Sequence, residues 1–307
     1  LILPGREEPA VREAADIDPR NLPSIELRAE EFALGERNLG SVSAIFEKTP
    51  FGLESGNVAA RDDTFTITGS AGWTVGEQDP STRQSYVVAK LKSSDVAATM
   101  QRLNYEPGIE GQDMEIDFDL HWPGGPRQDY MSELDGNVGV RLGSGQLDDV
   151  EPGPGRVFGL MSIVALPRRL SLDFRDVLDK GFGFDEITGR FRLEDGVAYT
   201  CDLSLKGPAA DVGIVGRAGL ASRDYHQTAV VSANVGNTLP VVGAVVAGPQ
   251  VAAALLIFSQ IFKKPLQEMG QVYYAIEGSW DEPDVESTNA QHFAESSAMA
   301  DCVQPAE

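Results

Sequence analysis

Apolar side chains recur at every second position over long stretches of this chain, and that period of two constrains its fold more than any other feature. Between residues 21 and 150 it shows in Ile25 and Leu27, in Phe65 and Ile67, in Met114, Ile116, Phe118 and Leu120, and in Val138, Val140 and Leu142. Such alternation marks strands with one face in apolar surroundings and the other in water. Turn-forming clusters interrupt it at short intervals: Leu34-Gly35, Ser55-Gly56-Asn57, Trp122-Pro123-Gly124-Gly125-Pro126 and Asp135-Gly136-Asn137. A meander of antiparallel hairpins is expected. A strand that runs into Gly and small residues returns at 65–69, 203–207, 212–216 and 274–280, and reads as a loose strand repeat. Hairpins repeated with one apolar face build a long, curled sheet that has to close, pair with another sheet, or hold something apolar in its concavity. The pattern leaves those three outcomes open.

Composition agrees with a mainly β protein. The 307 residues include 32 Gly and 18 Pro with only 7% aromatics, which suits many strands joined by tight turns, and 42% hydrophobic residues suffice for a sizeable core. One short helix is expected over Ser94–Leu103, capped by Asp95, with Val96, Met100 and Leu103 on its buried side. From 151 to 180 the texture changes to a Gly/Pro bend, a helix over Arg156–Leu166 stopped by Pro167, an alternating strand at Leu170, Leu172 and Phe174, and a helical turn at Asp176–Lys180. A hairpin follows, 182–193 turning at Glu194-Asp195-Gly196 into 197–205. The chain thus divides into an incomplete lead-in (1–20), a β-hairpin meander (21–150), a C-terminal β region with apolar helices (151–284) and a polar, aperiodic tail (285–307) expected to lack order.

Set in this acidic chain is an apolar run, residues 239–264. Gly243, Gly248 and Pro249 divide it, and a helix over 250–262 would rise only about 20 Å against roughly 30 Å of bilayer hydrocarbon. It is too short to span. Val251, Leu255, Phe258 and Phe262 share one stripe, Leu256, Ile257 and Ile261 fill much of the remainder, and Lys263 and Lys264 close the last turn. Such a helix must be covered by a protein core, by lipid or by a partner; burial energy is alike in all three. The chain begins at Leu1 with neither a signal peptide nor a spanning segment, so any targeting or anchoring element is expected upstream.

Several function classes are disfavoured. A net charge of -22 and a pI near 4.4 with no basic patch argue against nucleic acid. Glu115, Asp117 and Asp119 alternate with Met114, Ile116 and Phe118, the pattern of a solvated strand face rather than a catalytic carboxylate pair. Gly153-Pro154-Gly155-Arg156-Val157-Phe158-Gly159 lacks dinucleotide-loop spacing and a surrounding βαβ pattern, so it reads as a backbone bend. His121, His226 and His292 are far apart, and Cys201 and Cys302 make no disulfide framework or zinc site, leaving the redox compartment undecided. Trp73, Trp122 and Trp280 sit at strand ends, where packing explains them better than a carbohydrate platform does. No enzyme activity, cofactor or metal is expected.

Four stretches carry a resemblance to a known family. The run EPGPGRVFGLMSIVALPRRLSLDFRDVLDKGFGFDEITGRFRLEDGVA, then LSLKGPAADVGIVGRAGLASRDY, LPVVGAVVAGPQVAAALL and YAIEGSWDEPDVE, is similar to the C-terminal region of the YhdP proteins, members of the wider AsmA-like group of the Gram-negative envelope. DIDPRNLPSIELRAEEFALGERNLGSV resembles the part that precedes it. The resemblance implies the distal end of a long periplasmic protein, anchored in the inner membrane through an N-terminal helix, whose curled AsmA-like sheet forms an apolar trough for phospholipid passing toward the outer membrane. It implies lipid contact by Val251, Leu255, Leu256, Phe258, Ile261 and Phe262 on the apolar helix, with membrane contact through that helix, and by Phe158 and Met161 on the shorter one. Inward strand residues Phe182, Phe184, Ile187, Phe191 and Leu193 would solvate acyl chains, unless they form an ordinary sheet core. The alternative is a non-enzymatic envelope scaffold that aids outer-membrane assembly through a protein partner.

Overall fold

A computed structural model of the chain describes residues 2–3, 17–105, 108–126, 130–147, 182–233, 271–296 and 302. Its strands are numbered in chain order. β1 (Ile2–Leu3), β3 (Ala33–Leu34) and β4 (Arg37–Asn38) form a small patch, and β9 (Ile109–Gly111), β12 (Gly145–Leu147) and β13 (Phe182–Phe184) form a second. The other thirteen make one sheet: β2 (Ile25–Ala29), β5 (Ser41–Lys48), β6 (Gly52–Arg61), β7 (Phe65–Val75), β8 (Arg83–Ser93), β10 (Met114–Pro123), β11 (Asp135–Leu142), β14 (Glu186–Glu194), β15 (Val197–Lys206), β16 (Ala210–Gly219), β17 (Asp224–Ala233), β18 (Gln271–Ser279) and β19 (Pro283–Thr288). Each pairs antiparallel with the next in that series, and β2 and β19 remain as edges. The sheet is open. At about 4.8 Å per spacing it is roughly 60 Å broad, a width at which a twisted sheet has to curl.

Local chemistry explains most of the punctuation. Asp195 and Gly196 both take positive φ, 46° and 70°, and make the tight turn expected between β14 and β15. The short helix is α1 (Val96–Arg102): the Asp95 carboxylate accepts from the Ala98 amide at 3.0 Å, while Val96, Thr99 and Met100 are buried and Leu103 is half-buried. Two expected turns instead lie inside strands. Asp135-Gly136-Asn137 opens β11, where Gly136 (φ 128°) is needed because a Cβ there would meet the Asp119 carbonyl at 2.0 Å. Ser55-Gly56-Asn57 lies inside β6, where one extra residue bulges the strand against both β5 and β7.

The C-terminal tail is a correction. Residues 283–295 are ordered, in β19 and in helix α2 (Ala290–Glu295). Val285 pairs with Ile276 and is buried, and Phe293 is buried with its ring 5.5 Å from that of Tyr273. The Asn289 side chain caps α2 by accepting from the Gln291 and His292 amides. One apolar anchor per short element leaves no period to read, so the ordering was invisible in the sequence. The cysteines, whose state the sequence left open, are joined: Cys201 on β15 is bonded to Cys302, with Cα atoms 5.6 Å apart. The expected helices at 156–166 and 250–262, the strand at 170–174, the turn at 176–180 and the bend at 153–159 lie outside the described residues.

One large core holds the middle of the sheet. Val96 and Met100 of α1, and Ile109, Leu147, Phe182 and Phe184 of the second patch, pack with Leu142, Ile187, Phe191, Leu203 and Leu205. Phe182–Phe184 breaks from the expected hairpin at Asp185, whose amide still donates to the Lys206 carbonyl at 2.8 Å. A smaller cluster joins Phe32 to Val42 and Ala60, with Leu27 and Leu39 beside it.

Removing the Phe191 ring, 1% exposed, leaves a cavity beneath the sheet's middle. Phe191→Ala is expected to lower unfolding free energy by about 3–5 kcal/mol in urea titrations followed by circular dichroism. A pH effect follows from α1. Burial raises the pKa of the Asp62 carboxyl, but the Arg102 guanidinium (2.9 Å) and two bonds from Thr64 outweigh it and hold the group below the usual carboxylate range. Its contribution is complete above the unfolded value of about 3.9 and is lost as pH falls through the lower folded value. Asp62→Asn should therefore destabilise the protein at pH 7, and the gap from wild type should narrow as pH falls below the unfolded value of about 3.9 in the same titration.

Candidate functional site

The strand registers align one row of side chains across the entire sheet: Leu27, Ala44, Val58, Gly69, Ala89, Phe118, Val138, Phe191, Thr200, Gly216, Gln227, Ile276 and Val285. Two residues along the strands, a parallel row runs Ala29, Val42, Ala60, Ile67, Leu91, Ile116 and Val140. Strict alternation would break at β6 and β15. In each, one bulged residue resets it, so Ser55 and Val58, or Thr200 and Leu203, face the same way although three positions apart. The result is an inner row that is apolar from edge to edge except for Thr200 and Gln227, with the buried hydroxyls of Ser55, Ser85 and Ser93 elsewhere on the same face.

Cover over that face is uneven. Phe32 and Leu39, on the loop carrying β3 and β4, pack over β2, β5 and β6. α1 and the β9–β12–β13 patch pack over β8 to β15 at one end of the strands, and Tyr130 stacks on Trp122 at the other, ring centroids 4.8 Å apart. Between these covers Val58, Ile67, Val87, Ile116, Phe118 and Leu120 are half-buried. They form an apolar furrow along β6, β7, β8 and β10. Beyond β11 the row closes: Phe191, Thr200, Gln227 and Ile276 are at most 2% exposed.

The sequence-based lipid contacts divide accordingly. Phe182, Phe184, Ile187, Phe191 and Leu193 are each 4% exposed or less and share one core cluster, so the fold spends them on its own packing. Phe158, Met161, Val251, Leu255, Leu256, Phe258, Ile261 and Phe262 lie outside the described residues. The furrow residues Ile67, Ile116, Phe118 and Leu120 were legible as strand alternation, though not as the open part of the face. Thr99, which is buried, and the Phe32–Leu39 cover gave no signal.

The opposite face is hydrated and charged. Lys90 reaches Glu115 at 2.5 Å and Asp117 at 2.8 Å; these bonds, led by that to Asp117, raise the lysine's pKa, while the bond from Lys90 lowers that of Glu115. Arg141 and Lys206 flank Glu186, and Arg190 pairs with Asp202. This is the solvated ladder expected for Glu115, Asp117 and Asp119. An open cavity of about 680 Å³ lies at β2, β5, β6 and β7, lined by Arg28, Ser43 and Arg61 together with Val42, Ala60 and Ile67 of the inner row, so that it meets the furrow at Ile67. Among the described residues no cluster of His, Cys, Asp and Glu could hold a metal, and no helix is long and apolar enough to cross a membrane. Two of the three tryptophans are spent on structure: Trp122 Nε1 donates to the Gly125 carbonyl, and Trp280 Nε1 to that of Asp224.

Comparison with known proteins bears on what such a sheet belongs to. No solved structure matches the chain. A curated protein of Escherichia coli (strain K12), the intermembrane phospholipid transporter YhdP, is 29% identical over 245 residues, covering 76% of this chain and 19% of that protein. The chain therefore spans about a fifth of that relative's length. The sequence model of the YhdP protein family matches residues 1–285, nearly the whole ordered sheet, and the chain belongs to that family.

Proposed function

We propose that this chain is the distal part of a bridge-like phospholipid transporter between inner and outer membrane, with acyl chains held along the apolar inner face of its sheet. One observation carries the reading: a row of side chains, apolar but for Thr200 and Gln227, aligned across all thirteen strands and left half-covered along β6, β7, β8 and β10. A furrow with apolar walls and no catalytic constellation solvates hydrocarbon at roughly 25 cal/mol per Å² and does nothing chemical to it. Family membership and the E. coli relative named for phospholipid transport support the same substrate. The cysteine pair suits the oxidising periplasm. The whole protein's itinerary, including an inner-membrane anchor, belongs to this proposal.

In this reading lipid reaches the described sheet from the β2 side and meets a closed core past β11. β11 ends, β14 begins, β17 ends and β18 begins at one end of the sheet, since the register aligns Leu142, Ile187, Leu205, Val212, Val231 and Val272. Apolar side chains such as Leu255 and Phe258, in the sequence between β17 and β18, would make the membrane contact at that end. The closed half favours the second reading, an envelope scaffold, because Phe182, Phe184 and Ile187 are spent on packing there.

Two experiments decide. Phospholipid extracted from the purified chain and quantified by mass spectrometry should fall at least about tenfold in Ile116→Asp with Phe118→Asp, because a carboxylate in the furrow must be desolvated beside hydrocarbon. No phospholipid on the wild type would sink the conduit. A photocrosslinker at position 118 should label lipid; label recovered only on protein would favour the scaffold.

A further inference from the structure

Three separate covers of the inner face meet at one residue, Arg37 of β4. The loop that carries it packs over β5 and β6 through Phe32 and Leu39, and Ile67 of the furrow touches both that cluster and the main core. The Arg37 guanidinium carbon stands 5.2 Å from the ring centroid of Tyr105, which follows α1 and packs on the main core. Asn104 Nδ2 donates to Glu36 Oε2 at 2.8 Å and ties the same two segments together. The third cover is Tyr130, stacked on Trp122 at the other end of the strands. Burial pushes the Tyr130 phenol up, while the charge of Arg37 pulls it back and Tyr105 adds to the rise, so both stand within electrostatic reach of its hydroxyl. Arg37 is thus placed at the margin of the furrow, and it is exposed. Most described arginines reach a carboxylate, as Arg102 reaches Asp62 and Arg190 reaches Asp202. Arg37 reaches none among the described residues, although Asp and Glu outnumber Lys and Arg by 47 to 25 in this chain, and the adjacent Glu36 is engaged by Asn104. A guanidinium that rests on an aromatic face keeps the N–H donors of its edge free for an anion.

We propose that Arg37 is the phosphate-binding residue of the furrow: while acyl chains lie among Ile67, Ile116 and Phe118, the phosphate of the same phospholipid accepts hydrogen bonds from the Arg37 guanidinium. The inference rests on the lipid reading above and adds to it the group that recognises the headgroup. A phospholipid lying in an apolar furrow has to leave its phosphate at the water margin, because a charge among hydrocarbon is costly to desolvate. Arginine suits that margin, since its fork matches phosphate oxygens two at a time. One exposed guanidinium holds free phosphate only weakly in water. Chain burial in the furrow raises the effective concentration of the attached phosphate at Arg37, so that the two contacts act together. A lipid with the same chains and no phosphate gains the burial alone. The contact is to the phosphate that all phospholipids share, so it favours phospholipid as a class over neutral lipid without selecting one headgroup.

The test offers the whole purified chain detergent micelles that hold equal amounts of dioleoyl phosphatidylethanolamine and dioleoylglycerol, and quantifies the bound lipids by mass spectrometry. Wild type should take the phospholipid over the phosphate-free lipid by at least about tenfold. Arg37→Gln should bring the two to about equal amounts with the bound dioleoylglycerol and the circular dichroism unchanged, and Arg37→Lys should keep part of the preference. The phosphorus NMR resonance of bound phospholipid should shift in wild type and not in Arg37→Gln, a readout that a merely structural role would not move. A preference that survives in Arg37→Gln, or equal uptake of the two lipids by wild type, would overturn this inference and leave the conduit standing. Uptake of neither lipid would overturn both. Saturable binding of inorganic phosphate alone, lost in Arg37→Gln, would make the site one for the free anion and overturn the assignment to a lipid headgroup.

Discussion

Register holds this protein together. Every inner side chain from Leu27 to Val285 faces its neighbours on adjacent strands, and a slip of one residue anywhere would carry an entire strand's apolar set into water. The bulges in β6 and β15 are part of that locking. Each inserts the residue that keeps Ser55 with Val58 and Thr200 with Leu203 on one face, at the points where simple alternation would lose the pattern. Thirteen strands so locked cannot lie flat, and the curl that twist imposes gives the apolar face its concavity.

The two faces solve opposite problems. Inside, apolar area is removed from water by neighbouring strands, by α1 and by two small strand patches, and the half-covered furrow is what those covers leave over. Outside, Lys90, Glu115, Asp117, Arg141, Glu186 and Arg190 stay hydrated. Being exposed and screened, they add little stability but keep that face soluble. Charges also guard the open edges, with Glu26 and Arg28 on β2 and Asp284 and Glu286 on β19 beside Pro283, which has no amide to offer.

An open sheet with a covered middle and a half-open flank suits a piece of something longer. The sheet leaves both β2 and β19 as edges, and past β19 the chain enters α2, whose Phe293 packs on Tyr273. The half-covered flank places the lipid-binding question on the furrow residues near Phe118.

Much of the fold was legible because it rests on local chemistry. Period-two alternation announced the antiparallel sheet, Asp195-Gly196 its tightest turn, Asp95 the start of α1, and the Met114–Leu120 pattern the sorting of carboxylates to water; four stretches of similarity pointed to the family. Each of these signals is carried by residues close together in the chain. Tertiary structure alone decided the rest. It buried Phe182, Phe184, Ile187, Phe191 and Leu193, left Ile116 and Phe118 half-open, absorbed Ser55-Gly56-Asn57 and Asp135-Gly136-Asn137 into strands, ordered the tail through Phe293 and joined two cysteines 101 residues apart. The reason is physical: alternation records which face of a strand avoids water, but whether that face meets a covering helix, another side chain or a guest depends on elements that arrive from distant parts of the chain.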